Sequence, residues 1–93
     1  MTRYSLSDDA RRDLKAIWRY VAADGRSAAD RLIHGFDRVF DFLAANPLAG
    51  QLTTISSGRT FRIFSRGSYV IYYTVRNRKV VIAHVRHGAR DQP

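Results

Sequence analysis

From Ser7 onward the apolar positions recur at helical spacing. Ala10, Leu14, Ile17, Trp18 and Val21 form one stripe on a segment otherwise dominated by charged residues. Ser7 stands where an N-cap belongs, and Asp8 and Asp9 follow in the first turn, where carboxylates meet the positive end of the helix dipole. Asp24-Gly25 should end this helix. A second stripe, Ala29, Leu32, Ile33, Phe36, Val39, Phe40 and Leu43, follows Ser27–Asp30, which resembles a capping box with Asp in the Glu/Gln place. Asn46-Pro47 closes it. Two amphipathic helices with so short a joint predict a helical hairpin, and Arg3–Leu6 predicts a short strand before it.

Residues 46–58 (NPLAGQLTTISSG) read as a loop, because Pro47, Gly50, Ser56, Ser57 and Gly58 interrupt any period. Beyond them the period shifts from about 3.6 towards 2 as β-branched and aromatic residues take over. Three strands are predicted, Thr60–Ser65, Tyr69–Val75 and Lys79–Arg86, with hairpin turns at Arg66-Gly67-Ser68 and Arg76-Asn77-Arg78. The expected order is β-α-α-β-β-β. That is an α+β fold forming one domain over residues 1–93, a small antiparallel sheet with the N-terminal helical hairpin on one face. One hairpin covers one face, yet Tyr69–Val75 is apolar or aromatic on both: Tyr69, Ile71, Tyr73 and Val75 against Val70 and Tyr72. A half-solvated sheet alternates more cleanly, so a second chain is expected to cover the surplus.

Charge sharpens the expectation of a partner. The 93 residues carry a net charge of +8. Residues 1–46 hold eight Arg/Lys against seven Asp, whereas residues 47–93 hold eight against Asp91 alone. Fourteen of the sixteen cations are Arg, the side chain suited to bidentate contacts with phosphate or carboxylate. A basic half on so small a domain suits nucleic acid, or a protein that is acidic or bound to nucleic acid. The absence of Cys excludes disulfides and thiolate metal sites, and three scattered His (His34, His84, His87) suggest no metal centre. With no apolar leader and no run of about 18 apolar residues, the chain is expected in the cytoplasm.

Four stretches in order then resemble one family, the ParE branch of the RelE/ParE toxins of bacterial toxin–antitoxin modules. They are YSLSDDARRDLKAIWRYVA (Tyr4–Ala22), ANPLAGQ (Ala45–Gln51), RIFSRGSYVIYYTV (Arg62–Val75) and HGARD (His87–Asp91). The resemblance implies the fold already read. It also implies a protein that poisons DNA gyrase without covalent chemistry of its own, needs no cofactor, and is silenced by a ParD-like antitoxin whose C-terminal segment fills an apolar groove. On that basis Arg62, Arg86, His87 and Arg90 are expected to face the target. Leu14, Ile17, Trp18, Val21, Phe36, Phe40 and Tyr72 are expected to face the antitoxin. Where relatives often read Arg-Val-Leu-His, this chain has His84-Val85-Arg86-His87.

Each assignment has a plainer counterpart. His87 can simply hydrogen-bond the chain leaving the last strand, Arg62 can brace the sheet, and Trp18 can be core. Arg76, Arg78 and Lys79 can be a solvated hairpin tip. The related RelE branch cleaves messenger RNA on the ribosome, which needs a general base, cations for the phosphorane and an acid for the leaving oxygen. Arg62, Arg86, Arg90, His84, His87 and Tyr73 could contribute to such a set. The chain has no Glu, however, and its 46–58 loop has no Lys or Arg. A non-toxic basic nucleic-acid-binding module is the third class, and steeply salt-dependent binding would mark it.

Overall fold

The computed structural model describes residues 4–88. It begins with β1 (Tyr4–Leu6), after which Ser7 caps α1 (Asp8–Ala22) from an extended backbone, its Oγ accepting the Ala10 N–H at 3.0 Å. The same hydroxyl donates to the Ala83 carbonyl at 2.8 Å, so one serine starts the helix and ties it to the last strand. Helix α2 (Arg26–Ala45) does not use the expected capping box. Its N-cap is Gly25, with no side-chain bond, and Ser27 already lies inside the first turn. The reason is the tight joint: the Val21 carbonyl accepts the N–H groups of both Asp24 and Gly25, which leaves no room for a later start. Asn46 stops α2 as expected, its side-chain amide donating to the Phe42 carbonyl at 3.0 Å.

Four more strands follow: β2 (Gln51–Thr54), β3 (Thr60–Arg66), β4 (Tyr69–Arg76) and β5 (Lys79–His87). The described residues form one sheet in the order β1-β5-β4-β3-β2. Two corrections to the expected α+β architecture result. Part of the expected 46–58 loop is strand β2, antiparallel to β3; its sequence QLTT carries no alternation, and pairing with β3 alone makes it a strand. The sheet is also mixed, because β1 runs parallel to β5. Such a pairing across more than seventy residues has no local signature.

The turns obey their residues. Asn77 and Arg78 both take positive φ (49° and 66°), the primed geometry that a two-residue hairpin requires, and Gly67 takes φ 57° in the other hairpin. A bulge does more. Tyr72 pairs with His84 but Tyr73 with Ile82, so Ala83 is an extra residue on β5. It switches the strand's parity, so Val80, Ile82 and then Val85 all face the helices and join Phe36, Phe40, Leu43, Ile71 and Tyr73 in the core. On the other face Tyr72 packs edge-on against Phe61 and His84, and Arg59 lies over the Phe61 ring at 5.0 Å. Phe61 is 1% exposed and Tyr72 6%. The surplus apolar surface read from Tyr69–Val75 is thus largely covered from within the chain.

Candidate functional site

Strand β1 pairs only with Val80–Ile82, so the C-terminal half of β5 has no strand along that edge. Helix α1 lies beside it instead. Between them runs an open groove of about 340 Å³, lined by Asp13, Ala16, Ile17 and Tyr20 from α1, Tyr69 from β4, and Val85, Arg86 and His87 from β5. Its floor is apolar, Tyr20 stands exposed at one wall, and His87 packs edge-on against Tyr69 at 5.4 Å. Tyr69 in turn meets Phe36, which stacks along α2 with Phe40. This aromatic chain anchors the groove wall to the core.

Asp13 fastens the two sides together. Its Oδ2 accepts the Val85 backbone N–H at 2.9 Å, lies 3.5 Å from Arg86 Nε and 3.9 Å from His84 Nδ1. The carboxylate therefore occupies the place of a missing strand partner and neutralises a neighbouring guanidinium. Arg86 Nε is buried and pairs with Asp13 by charge without a hydrogen bond, while Nη2 reaches His84 Nδ1 at 3.3 Å. His84 and Arg86 are thus contacts of one another.

Burial holds His84 below its ordinary pKa of 6.5, and the Arg86 charge acts in the same direction against the opposing Asp13. With the folded pKa depressed, the unfolded chain takes up a proton first as pH falls. This contribution to stability is complete above 6.5 and is lost as pH drops through the folded value. The melting midpoint of the parent is expected to fall between pH 7 and pH 5, and His84→Phe to flatten that slope. An equal slope in both proteins would show that His84 does not carry it.

The expected site residues separate. Arg86, His87 and Ile17 meet in the groove, and Leu14, on the same helix, is half-buried against the core. Trp18 is half-buried and straps α1 to α2, its Nε1 donating to Asp30 Oδ1 at 2.8 Å; Val21 is half-buried near the joint. Phe36 and Phe40 are wholly inside, and with Tyr72 they offer no surface to another chain. Arg62 does not join Arg86. It pairs with Tyr73 while Arg86 pairs with Val70, which by strand alternation puts the two on opposite faces. Its Nη1 donates to the Gly50 carbonyl at 2.7 Å, the bracing role. Arg90 lies outside the described residues. Sequence reasoning missed Asp13, Ala16, Tyr20 and Tyr69. Asp13 had a signal: a lone carboxylate three residues after Ala10 and four before Ile17 falls on the buried stripe itself.

The chain matches the family described as "ParE toxin of type II toxin-antitoxin system, parDE" over residues 4–92. No curated protein gives a significant match. Among solved structures it is similar to a chain of the chromosomal ParDE TA system from P. aeruginosa. That chain is 18% identical and has a TM-score of 0.74, with 94% of this chain and 96% of that chain covered. At that identity the likeness is one of fold. Among the described residues no helix is long and apolar enough to cross a membrane.

Proposed function

This chain belongs to the ParE toxin family of type II toxin–antitoxin systems, and from that premise we propose that it inhibits bacterial DNA gyrase by protein–protein contact and is neutralised by a ParD-like antitoxin seated in the α1–β5 groove. The observation that carries the second half is the groove itself. Its apolar floor, aromatic walls and basic rim residues Arg86 and His87 suit an amphipathic segment with acidic side chains. The target-facing set reduces to Arg86 and His87, with Arg90 beside them in sequence, while Ile17 and Leu14 remain the antitoxin-facing positions and Trp18 and Val21 support them. The site of action is the cytoplasm.

A non-enzymatic mode of action fits the geometry. Two of the groups a ribonuclease could use are otherwise engaged: the Tyr73 hydroxyl is held by the Pro47 carbonyl and the Gly50 N–H, and Arg62 braces that same loop, while His84 is packed between aromatic rings. Plasmid incubated with the purified protein, gyrase and ATP, then stopped with detergent and protease, is expected to yield linear DNA that depends on both proteins. Intact supercoiled plasmid, together with cleavage of ribosome-bound messenger RNA, would replace this reading with the endoribonuclease one.

The groove assignment has its own test. Ala16 is exposed on the α1 side of the groove, so Ala16→Trp fills the cleft without touching the core. It is expected to weaken a C-terminal peptide of the cognate antitoxin at least about tenfold in calorimetry, a loss of about 1.4 kcal/mol. The melting midpoint should hardly move. Undiminished binding would place the antitoxin elsewhere.

A further inference from the structure

A second concavity lies away from the groove, on the outer face of α2. Arg31, His34, Gly35 and Arg38 form one helical stripe there, and Arg66 comes down onto it from the end of β3. Together with Asp30 they line a cradle of about 470 Å³. Gly35 lets the Arg66 guanidinium lie close over the helix, because a Cβ at that position would come 3.2 Å from Arg66 Nη2 and push it outward by a few tenths of an ångström. Asp30 is the one carboxylate among the described lining residues, and it is held at the rim by Trp18 Nε1.

Four arginines elsewhere are occupied. Arg12 pairs with Asp9, Arg59 covers Phe61, Arg62 holds the Gly50 carbonyl and Arg86 faces Asp13. Among the described residues, Arg31, Arg38 and Arg66 have no such partner, although Asp37 and Asp41 lie on the same helix; Arg11, Arg19, Arg26, Arg76 and Arg78 have none either, but only Arg31, Arg38 and Arg66 line the cradle. Three guanidiniums around one gap outnumber its one carboxylate, Asp30, and repel one another unless an anion joins them.

We propose that this cradle binds the phosphodiester backbone of duplex DNA. Planar guanidinium forks match phosphate oxygens two at a time. The lining favours phosphate over an acidic peptide, because it contains no apolar side chain, and peptide docking depends on apolar anchors at its centre. From Arg31 to Arg38 the helix advances about 10 Å, over which a duplex presents several phosphates. The site is separate from the antitoxin groove, so both can be filled at once.

The test is fluorescence anisotropy of the full-length protein with a labelled 20-base-pair duplex across a salt series. Arg31→Gln/Arg38→Gln/Arg66→Gln is expected to weaken binding at least about tenfold. It should also reduce the slope of log K against log salt by about 2 to 3, at roughly 0.9 for each phosphate no longer neutralised. The comparison protein Arg76→Gln/Arg78→Gln/Lys79→Gln loses the same charge from the β4–β5 turn and should change affinity less than about threefold, since no cradle is removed. Gly35→Leu keeps every charge but fills the gap, and is expected to weaken binding about fivefold or more. If it fails to fold by circular dichroism, the two triple variants still decide. Equal losses in both triples would mean that net charge alone attracts DNA and would overturn the site. So would unchanged binding in the cradle triple, or a loss confined to binding of an acidic peptide.

Discussion

Gly50→Ala is expected to destabilise the protein by about 3 kcal/mol, lowering its melting midpoint by roughly 12 to 24 °C for a domain of this size. The cause is steric, because Gly50 does not have positive φ. A Cβ there would lie 2.6 Å from the Ile63 carbonyl oxygen and 2.7 Å from the Tyr73 hydroxyl. The first contact is backbone, on the strand directly beside β2, so relief requires β2 to move off β3. The second would displace the hydroxyl that accepts the Gly50 N–H and donates to the Pro47 carbonyl, both at 2.8 Å. Arg62 would lose its hold on the Gly50 carbonyl as well. Overpacking of this kind costs about 1–3 kcal/mol and each hydrogen bond about 1 kcal/mol. Tyr73→Phe removes the hydroxyl alone and should lose about 1–3 kcal/mol, less than Gly50→Ala. A Gly50→Ala protein melting within two or three degrees of the parent would show that β2 is not held by this contact.

That position also marks the limit of what the sequence discloses. The helices are legible because each has a continuous stripe and an end signal, and Ser7 and Asn46 cap α1 and α2 where the pattern puts them. The three long strands are legible because β-branched and aromatic residues run between turn residues. Strand β2 is not, because its pairing is supplied by β3 and its entry depends on a glycine whose neighbours, Ile63 and Tyr73, lie thirteen and twenty-three residues away. The bulge at Ala83 is likewise hidden. An alternating reading of Val80–His87 assigns Ile82 and Val85 to opposite faces, whereas the inserted residue puts both in the core. The same inserted residue brings Val85 and His87 to the side where α1 forms the groove, so the fold's least legible feature shapes its candidate site. Of the residues that line the groove, Arg86, His87 and Ile17 are within reach of a pattern argument because charge and amphipathicity are local. The burial of Phe36, Phe40 and Tyr72 is not within such reach, because it depends on which face a neighbouring strand turns inward, and the hold of Arg62 on the Gly50 carbonyl depends on the close approach of β2.

Asp13→Ala is expected to lose about 2–3 kcal/mol, the second large effect. The carboxylate's bond to the Val85 N–H is charge-assisted, and such bonds contribute about 1.5–3 kcal/mol. Its side chain is 15% exposed and that of Arg86 32%, so water cannot fully replace either partner. Removal leaves the edge N–H of Val85 without its acceptor and the Arg86 charge beside a neutral surface. Asp9→Ala is the contrast. Its pair with Arg12 is fully solvated, and the melting midpoint should stay nearly constant. Asp13→Asn separates the two contributions, since an amide oxygen can still accept from Val85 but cannot neutralise Arg86. It should fall between the parent and Asp13→Ala in urea denaturation. Pairing Asp13→Ala with Arg86→Met in a double-mutant cycle should give a coupling of about 0.5–1 kcal/mol. Additive losses would mean that Arg86 is held by His84 and packing alone, and that Asp13 serves only the strand edge. Because Asp13 joins α1 to the groove's other wall, Asp13→Ala should also weaken the antitoxin peptide in proportion to the loosening of that wall. A destabilised protein that binds the peptide with full affinity would separate the fastening from the binding surface.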